Sequence, residues 1–200
     1  MEDLTGMDVL MVVASRNFRD EEYRQPAEAL AHAKAGIVVA SSSRDVCQGM
    51  LGHTVTPELL LSDVDVSNYS AVIFVGGSGA SEYFDNPTAH QIAQDTVAQG
   101  KLLGAICIAP STLANAGVLK GKKATCYSSE RKNLKTKGAK LVDEPVVRDG
   151  DLITADGPDS AHAFGRAVCE ALAEGRPEDK PSEALKHRGE DVPRDRPPGP

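Results

Sequence analysis

The order of apolar runs and helix-forming segments predicts an α/β fold: a doubly wound, mostly parallel sheet with helices on both faces. Three observations carry that expectation. Asp8 to Ala14, Tyr69 to Val75 and Leu102 to Ile106 are short and almost wholly apolar, as strands buried on both faces must be. Longer stretches with helical spacing lie between them, and the alternation of strand and helix repeats along the chain. The 200 residues fit one such domain with a sizeable core.

Taken in order, Asp8 to Ala14 is the first strand, followed by a loop, SRNFRD. Glu21 to Ala35 carries Ala, Leu and Glu at helical spacing, opens with acids that suit a helix N-terminus, and stops at Gly36. Ile37 to Ala40 is a second strand. Ser41 to Asp63 holds short alternating pieces such as HTVTPEL, which fit a hairpin excursion better than a helix. Tyr69 to Val75 runs into Gly76-Gly77-Ser78-Gly79, a turn without the GxGxxG spacing and with no helix immediately after it. Pro87 to Gly100 is the next helix, with proline in its first turn and glycine closing it. The strand Leu102 to Ile106 then gives way to the helix-compatible segment Ala109 to Gly117. Lys123 to Tyr127 is a short strand, Glu130 to Lys137 a basic helix, Val146 to Thr154 a hairpin around Asp149-Gly150, and Pro158 to Ala173 the last helix.

From Glu174 the composition changes. Residues 174–200 contain six of the chain's twelve prolines, seven acids and six bases, and almost nothing apolar to bury. They read as a disordered extension to a single domain spanning residues 1–173. The net charge of −7 and the absence of a basic cluster exclude nucleic acid and anionic membranes as expected partners. No run of about 18 apolar residues appears, and the start, MEDLTG, is acidic, unlike a secretory or transit peptide, so a cytoplasmic protein is expected. Cys47, Cys107, Cys126 and Cys169 lie far apart with no CxxC pair, which suits reduced thiols. The five histidines show no zinc-like spacing, so no metal site is expected.

The chemistry is expected where the Leu102 to Ile106 strand ends. A strand-to-helix bend there makes Cys107 the exposed tip of a nucleophile elbow, with the following helix favouring a thiolate. Such a thiol should be more acidic than the ordinary value of about 8.5. In a doubly wound sheet the loops after Ala14, Val75 and Ile106 share one edge, which brings Glu21 and Glu22, the Gly76-Gly77 turn and Cys107 toward one another. The glycines allow main-chain N–H groups to approach an oxyanion closely. A protonated carboxyl beside a thiolate stabilises it by hydrogen bonding; an ionised one repels it.

The segments NFRDEEYRQP, VGGSGAS, GAICIAPSTLANAGVLKGKKAT and DGDLITADGP together resemble the ThiJ/PfpI superfamily, which includes the Parkinson-disease-associated deglycase, over roughly Asp8 to Ala173. The resemblance implies a flavodoxin-like, class I glutamine-amidotransferase-like fold. It implies Cys107 as nucleophile, Glu22 as its hydrogen-bonding glutamate with Glu21 as the neighbour to exclude, and Gly76, Gly77 and Ile108 at the oxyanion. Tyr127 then corresponds to the Tyr or His lining the site. Two departures stand out. Peptidase-like members have a histidine directly after the cysteine, where this chain has Ile108; His162 or a residue of a second subunit is the remaining source of an imidazole. The strand end that carries an arginine in relatives reads Ala155-Asp156 here, which weakens the case for anionic substrates.

The resemblance therefore implies a homodimer or higher homo-oligomer acting through Cys107 and Glu22 on small reactive carbonyls, glyoxalase- or deglycase-like, with no metal or organic cofactor. The alternative is an oxidation-sensing stress protein or chaperone without turnover. A cysteine peptidase is disfavoured by Ile108.

Overall fold

The computed structural model describes residues 2–175. Its strands and helices, in chain order, are β1 (Asp8–Val12), β2 (Arg16–Phe18), α1 (Asp20–His32), β3 (Gly36–Ser41), β4 (Cys47–Gly49), β5 (Thr54–Val55), β6 (Leu59–Leu60), β7 (Ala71–Phe74), α2 (Pro87–Ala98), β8 (Leu102–Ile106), α3 (Pro110–Asn115), β9 (Lys123–Ala124), α4 (Arg131–Thr136), β10 (Lys140–Leu141), β11 (Val146–Asp149), β12 (Leu152–Ala155) and α5 (Ala161–Glu174).

Seven strands form the main sheet in the order β11-β12-β8-β7-β1-β3-β6. Every adjacent pair is parallel except β11 with β12, the hairpin expected around Asp149-Gly150. The sheet is buried on both faces because its strands alternate between two cores. Along β1, Val9 and Met11 join Ile73, Ile106, Phe164 and Val168 beneath α1 and α5, whereas Leu10 and Val12 join Val72, Leu103, Ile92 and Leu113 on the other face. This two-sided burial is why the strands read as continuous apolar runs. At Gly165 a Cβ would stand 2.7 Å from the Cα of Pro26, so α5 and α1 pack with main chain almost touching. That contact fixes where α1 begins at the sheet's carboxyl edge.

The excursion between β3 and β7 contains the expected hairpin, β4 with β5, and β2 joins it in a three-stranded side sheet. Several expectations shift. Arg16–Phe18, read as loop, is a strand; a 3₁₀ helix over Ser78–Tyr83 follows the glycine turn, where none was expected; and β9 spans two residues, paired with a further two-residue strand, β10. Pieces this short have no periodicity to read, and tertiary pairing decides them. Glu174, expected to open the tail, closes α5, and the tail from residue 176 lies outside the described residues. Among the described residues no helix is long and apolar enough to cross a membrane.

Candidate active site

Cys107 follows β8 directly and sits on left-handed backbone, φ 64°. A non-glycine residue holds that conformation only when its surroundings impose it. Here two hydrogen bonds do so: the Cys107 amide donates to the Ala155 carbonyl at 2.9 Å, and the Cys107 carbonyl accepts from the Tyr127 amide at 2.8 Å. The side chain turns off the sheet and is left only 8% exposed. Helix α3 starts at Pro110 and has six residues, shorter than the expected Ala109 to Gly117, so its dipole is weak.

The expected acidity of the thiol is reversed. Burial, followed by the negative charge of Glu22 whenever that carboxyl ionises, pushes Cys107 up to about 12; the N–H groups of Gly77 and Ile108 pull it down, but by less. Sequence spacing revealed the bend but not its enclosure.

Glu22 explains why that enclosure is usable. Its side chain is fully buried, and both oxygens lie outside good hydrogen-bonding geometry, although the Cys107 thiol and the Gly76 N–H are close enough to act on the carboxyl. Burial dominates and raises Glu22 to about 8. At neutral pH the acid is therefore predominantly protonated and stands beside the sulfur as a neutral donor. Glu21, one residue earlier, is held elsewhere: Arg19 donates from Nε to Oε2 at 2.8 Å and from Nη2 to Oε1 at 3.1 Å, which lowers the Glu21 pKa. The structure thus separates the two acids that the sequence had left side by side.

The glycine turn is required by close approach. A Cβ at Gly76 would lie 2.3 Å from Glu22 Oε2 and 2.5 Å from the Cβ of Cys107. At Gly77, φ is 98° and a Cβ would fall 2.3 Å from the Arg19 nitrogen. Gly76 is thus the spacer that lets the acid and the thiol meet, and its N–H is turned toward Glu22. The N–H groups acting on the sulfur belong to Gly77 and Ile108.

Glu22, Gly77, Cys107, Ile108 and Tyr127 line one cavity of about 410 Å³, with Gly76 directly behind it. Tyr127, 47% exposed, also borders a larger trough of about 890 Å³ whose wall includes Cys126, Arg131, Asp143 and Asp156. Asp156, at the strand end read from sequence, accepts from the Ser160 hydroxyl at 2.5 Å and faces that trough rather than the sulfur. His162 lies in a separate cavity with His32 and Cys169, so it does not replace the missing imidazole. Among the described residues no histidine lines the Cys107 cavity, and no cluster of His, Cys, Asp and Glu could hold a metal ion.

Two contributors were missed in the sequence. Arg19 forms part of the cavity wall. Asp20, buried at the start of α1, accepts from the Leu51 amide at 2.8 Å and the His53 amide at 2.7 Å, and so holds the hairpin that brings Met50 to the cavity rim. Both lie in the quoted segment NFRDEEYRQP, but an acid or base beside a helix start reads as an ordinary solvated residue until the fold shows what it meets, the Leu51 and His53 amides for Asp20 and the cavity for Arg19.

A thiol on left-handed backbone at the carboxyl edge of a parallel sheet, sealed in beside an acid, marks the molecule as an α/β protein with a cysteine elbow. More narrowly, the chain belongs to the DJ-1/PfpI family, whose model matches residues 7–171. It is 39% identical over 174 residues to an uncharacterized protein of Methanocaldococcus jannaschii, covering 86% of this chain and 85% of that one. It is 28% identical to the deglycase PfpI of Pyrococcus furiosus, covering 82% and 98%. It is also 29% identical to a glutathione-independent glyoxalase of Caenorhabditis elegans, covering 68% and 73%. Among solved structures it is similar to a ThiJ/PfpI domain protein from Brachyspira murdochii, with a TM-score of 0.81, 32% identity, and coverage of 82% and 95%.

Proposed function

We propose that this protein is a cysteine-dependent enzyme acting on small reactive carbonyls, of the glyoxalase or deglycase kind, with Cys107 as nucleophile and Glu22 as proton carrier. The observation that carries the reading is the enclosure of Glu22 against Cys107 with no aligned partner for its carboxyl. A buried acid that keeps its proton to a pH of about 8 has a proton to give, and the nucleophilic group beside it among the described residues is the Cys107 thiol. Deglycase and glyoxalase names among the relatives support the same class.

For an α-oxo aldehyde the steps balance without an outside oxidant. The Cys107 thiol gives up its proton to solvent and its sulfur adds to the aldehyde carbon, forming the C–S bond, while Glu22 delivers its own proton to the carbonyl oxygen and the Gly77 and Ile108 N–H groups steady that oxygen. The resulting Glu22 carboxylate removes the hydrogen from the same carbon and passes it to the neighbouring carbon, while the new hydroxyl's proton moves to the neighbouring carbonyl oxygen, which leaves a thioester; Glu22 regains its proton from solvent. Water cleaves it and frees the thiol. One water has been added, one carbon oxidised and its neighbour reduced, and the product is an α-hydroxy carboxylate. Peptide hydrolysis is disfavoured, since Ile108 stands where a histidine base would be needed. The reading includes self-association as a homodimer or higher homo-oligomer, supported by the adjacent Met50 and Leu51 standing exposed between β4 and β5, with Met50 at the cavity rim.

The test is methylglyoxal consumption with lactate measured as product. Cys107→Ser should lower the rate at least ~10³-fold. An unchanged rate in the serine variant would remove the enzyme reading.

A further inference from the structure

Among the described residues lining the Cys107 cavity there is a single cation, Arg19, and the mechanism above gives it no task. We propose that Arg19 is a product-binding residue of the site, its guanidinium receiving the carboxylate of an α-hydroxy acid. The inference rests on the proposed carbonyl chemistry only for the identity of that ligand.

A guanidinium offers more than one pair of parallel donors. Glu21 occupies one edge, through Nε and Nη2, and among the described residues Nη1 has no hydrogen-bond partner. The edge formed by Nη1 and the second Nη2 hydrogen therefore stays open, with the spacing of a carboxylate's two oxygens. The residue is also fixed in place. Its amide donates to the Gly76 carbonyl at 3.0 Å, its own carbonyl accepts from the Tyr23 amide at 3.2 Å, and the absence of a Cβ at Gly77 lets its nitrogen lie against the glycine turn. The Arg19 backbone thus rests on the same turn that faces the sulfur, and its charge lies within electrostatic reach of Glu22 and Cys107.

The remaining charges leave this place to Arg19. Glu130, the other acid in the wall besides Glu22, accepts from the hydroxyls of Ser111 at 2.5 Å and Ser129 at 2.8 Å. Across Tyr127, Arg131 belongs to the larger trough and is paired with Asp143. Glu21 compensates most of the charge on Arg19, so an anion gains directed hydrogen bonds without a strong net attraction. Such a site orients a carboxylate and still releases it, as a product site must.

The experiment is protection of Cys107 from alkylation by iodoacetamide, with D- or L-lactate as the probe and 1,2-propanediol as its uncharged counterpart. Lactate should protect the wild type and propanediol should not. Arg19→Gln should weaken lactate protection about tenfold, and Arg19→Lys should fall between the two, since it keeps the charge and loses the fork. Glu21→Gln should act in the opposite direction and tighten lactate several-fold by uncovering the cation. That sign separates the proposal from a structural role, because breaking a mere clamp would weaken protection from either side. Equal protection in Arg19→Gln, equal protection by propanediol, or weaker protection in Glu21→Gln would each overturn it. Turnover is read separately: lactate protection that depends on Arg19 in a protein that leaves methylglyoxal untouched would sink the enzyme reading and leave the anion site standing.

Discussion

Glu21 and Glu22 are neighbours in the chain, both in the first turn of α1, and they end in opposite surroundings. Glu21 faces outward, about a third of its side chain exposed, and is gripped by Arg19, so its proton leaves early. Glu22 faces inward, fully buried against Gly76 and Cys107, and holds its proton to about 8. The helix contributes nothing to the difference, since both residues share its N-terminal dipole. What separates them is one step of 100° around the helix axis, which turns one carboxyl to a cation and the other to a thiol in a water-poor pocket.

The largest expected effect comes from erasing the inner acid. Glu22→Gln should slow carbonyl consumption about 10²-fold, because the amide has no proton to deliver. It should also alter stability with pH. The folded-state value of about 8 lies above the ordinary 4.5, so between those values the unfolded chain binds fewer protons than the folded one, and wild-type stability falls as pH rises through that window. The penalty is full above pH 8 and amounts to ~5 kcal/mol at most. Chemical denaturation at pH 5 and pH 8.5 should show the glutamine variant gaining on the wild type; a gap that stays constant would mean that Glu22 is ionised in the folded protein.

A smaller effect should follow from disturbing the spacer. In Gly76→Ala the new methyl would press on Glu22 Oε2 and on the Cβ of Cys107, costing about 1–3 kcal/mol and lowering activity by separating the pair. Normal activity and melting temperature in that variant would show that the acid and thiol need not be so close. The pH profile of Cys107 alkylation sharpens the same point without loss of fold. It should contain a step near 8 in the wild type, where the pair gives up its first proton, and the step should vanish in Glu22→Gln.

The smallest effect belongs to the outer acid. Glu21→Gln removes a partly exposed ion pair and should cost less than ~1 kcal/mol at neutral pH. Its folded-state value is lowered, so that contribution is present above the ordinary carboxylate range and disappears as pH falls through the shifted one. Wild type and variant should therefore converge in acid, the reverse of the trend at position 22.

Much of this arrangement was legible in the sequence, and the parts that were not share a cause. Leu102 to Ile106 read correctly as a strand because burial on both faces leaves an unbroken apolar run, and Cys107 followed as the residue at the bend. The hairpin at Asp149-Gly150 was readable from turn chemistry. The two-residue strands β9 and β10 were not, since pairing across the fold creates them. The site divides in the same way. Glu22, Gly77, Ile108 and Tyr127 were named in advance and line the Cys107 cavity. The direction of the thiol's shift was wrong, because bend and helix are local features and burial depends on the whole fold. Arg19 and Asp20 escaped notice because the cavity that Arg19 borders and the Leu51 and His53 amides that Asp20 holds come together only once the chain has closed.

The peptide that bears the sulfur is tied through the Tyr127 amide to the side of the molecule where the larger depression opens. A compound lodged in that depression would have a mechanical handle on Cys107 without touching it. Compounds meant to displace Cys107 could thus avoid thiol-reactive groups altogether and act by pulling the elbow's backbone out of its left-handed pose.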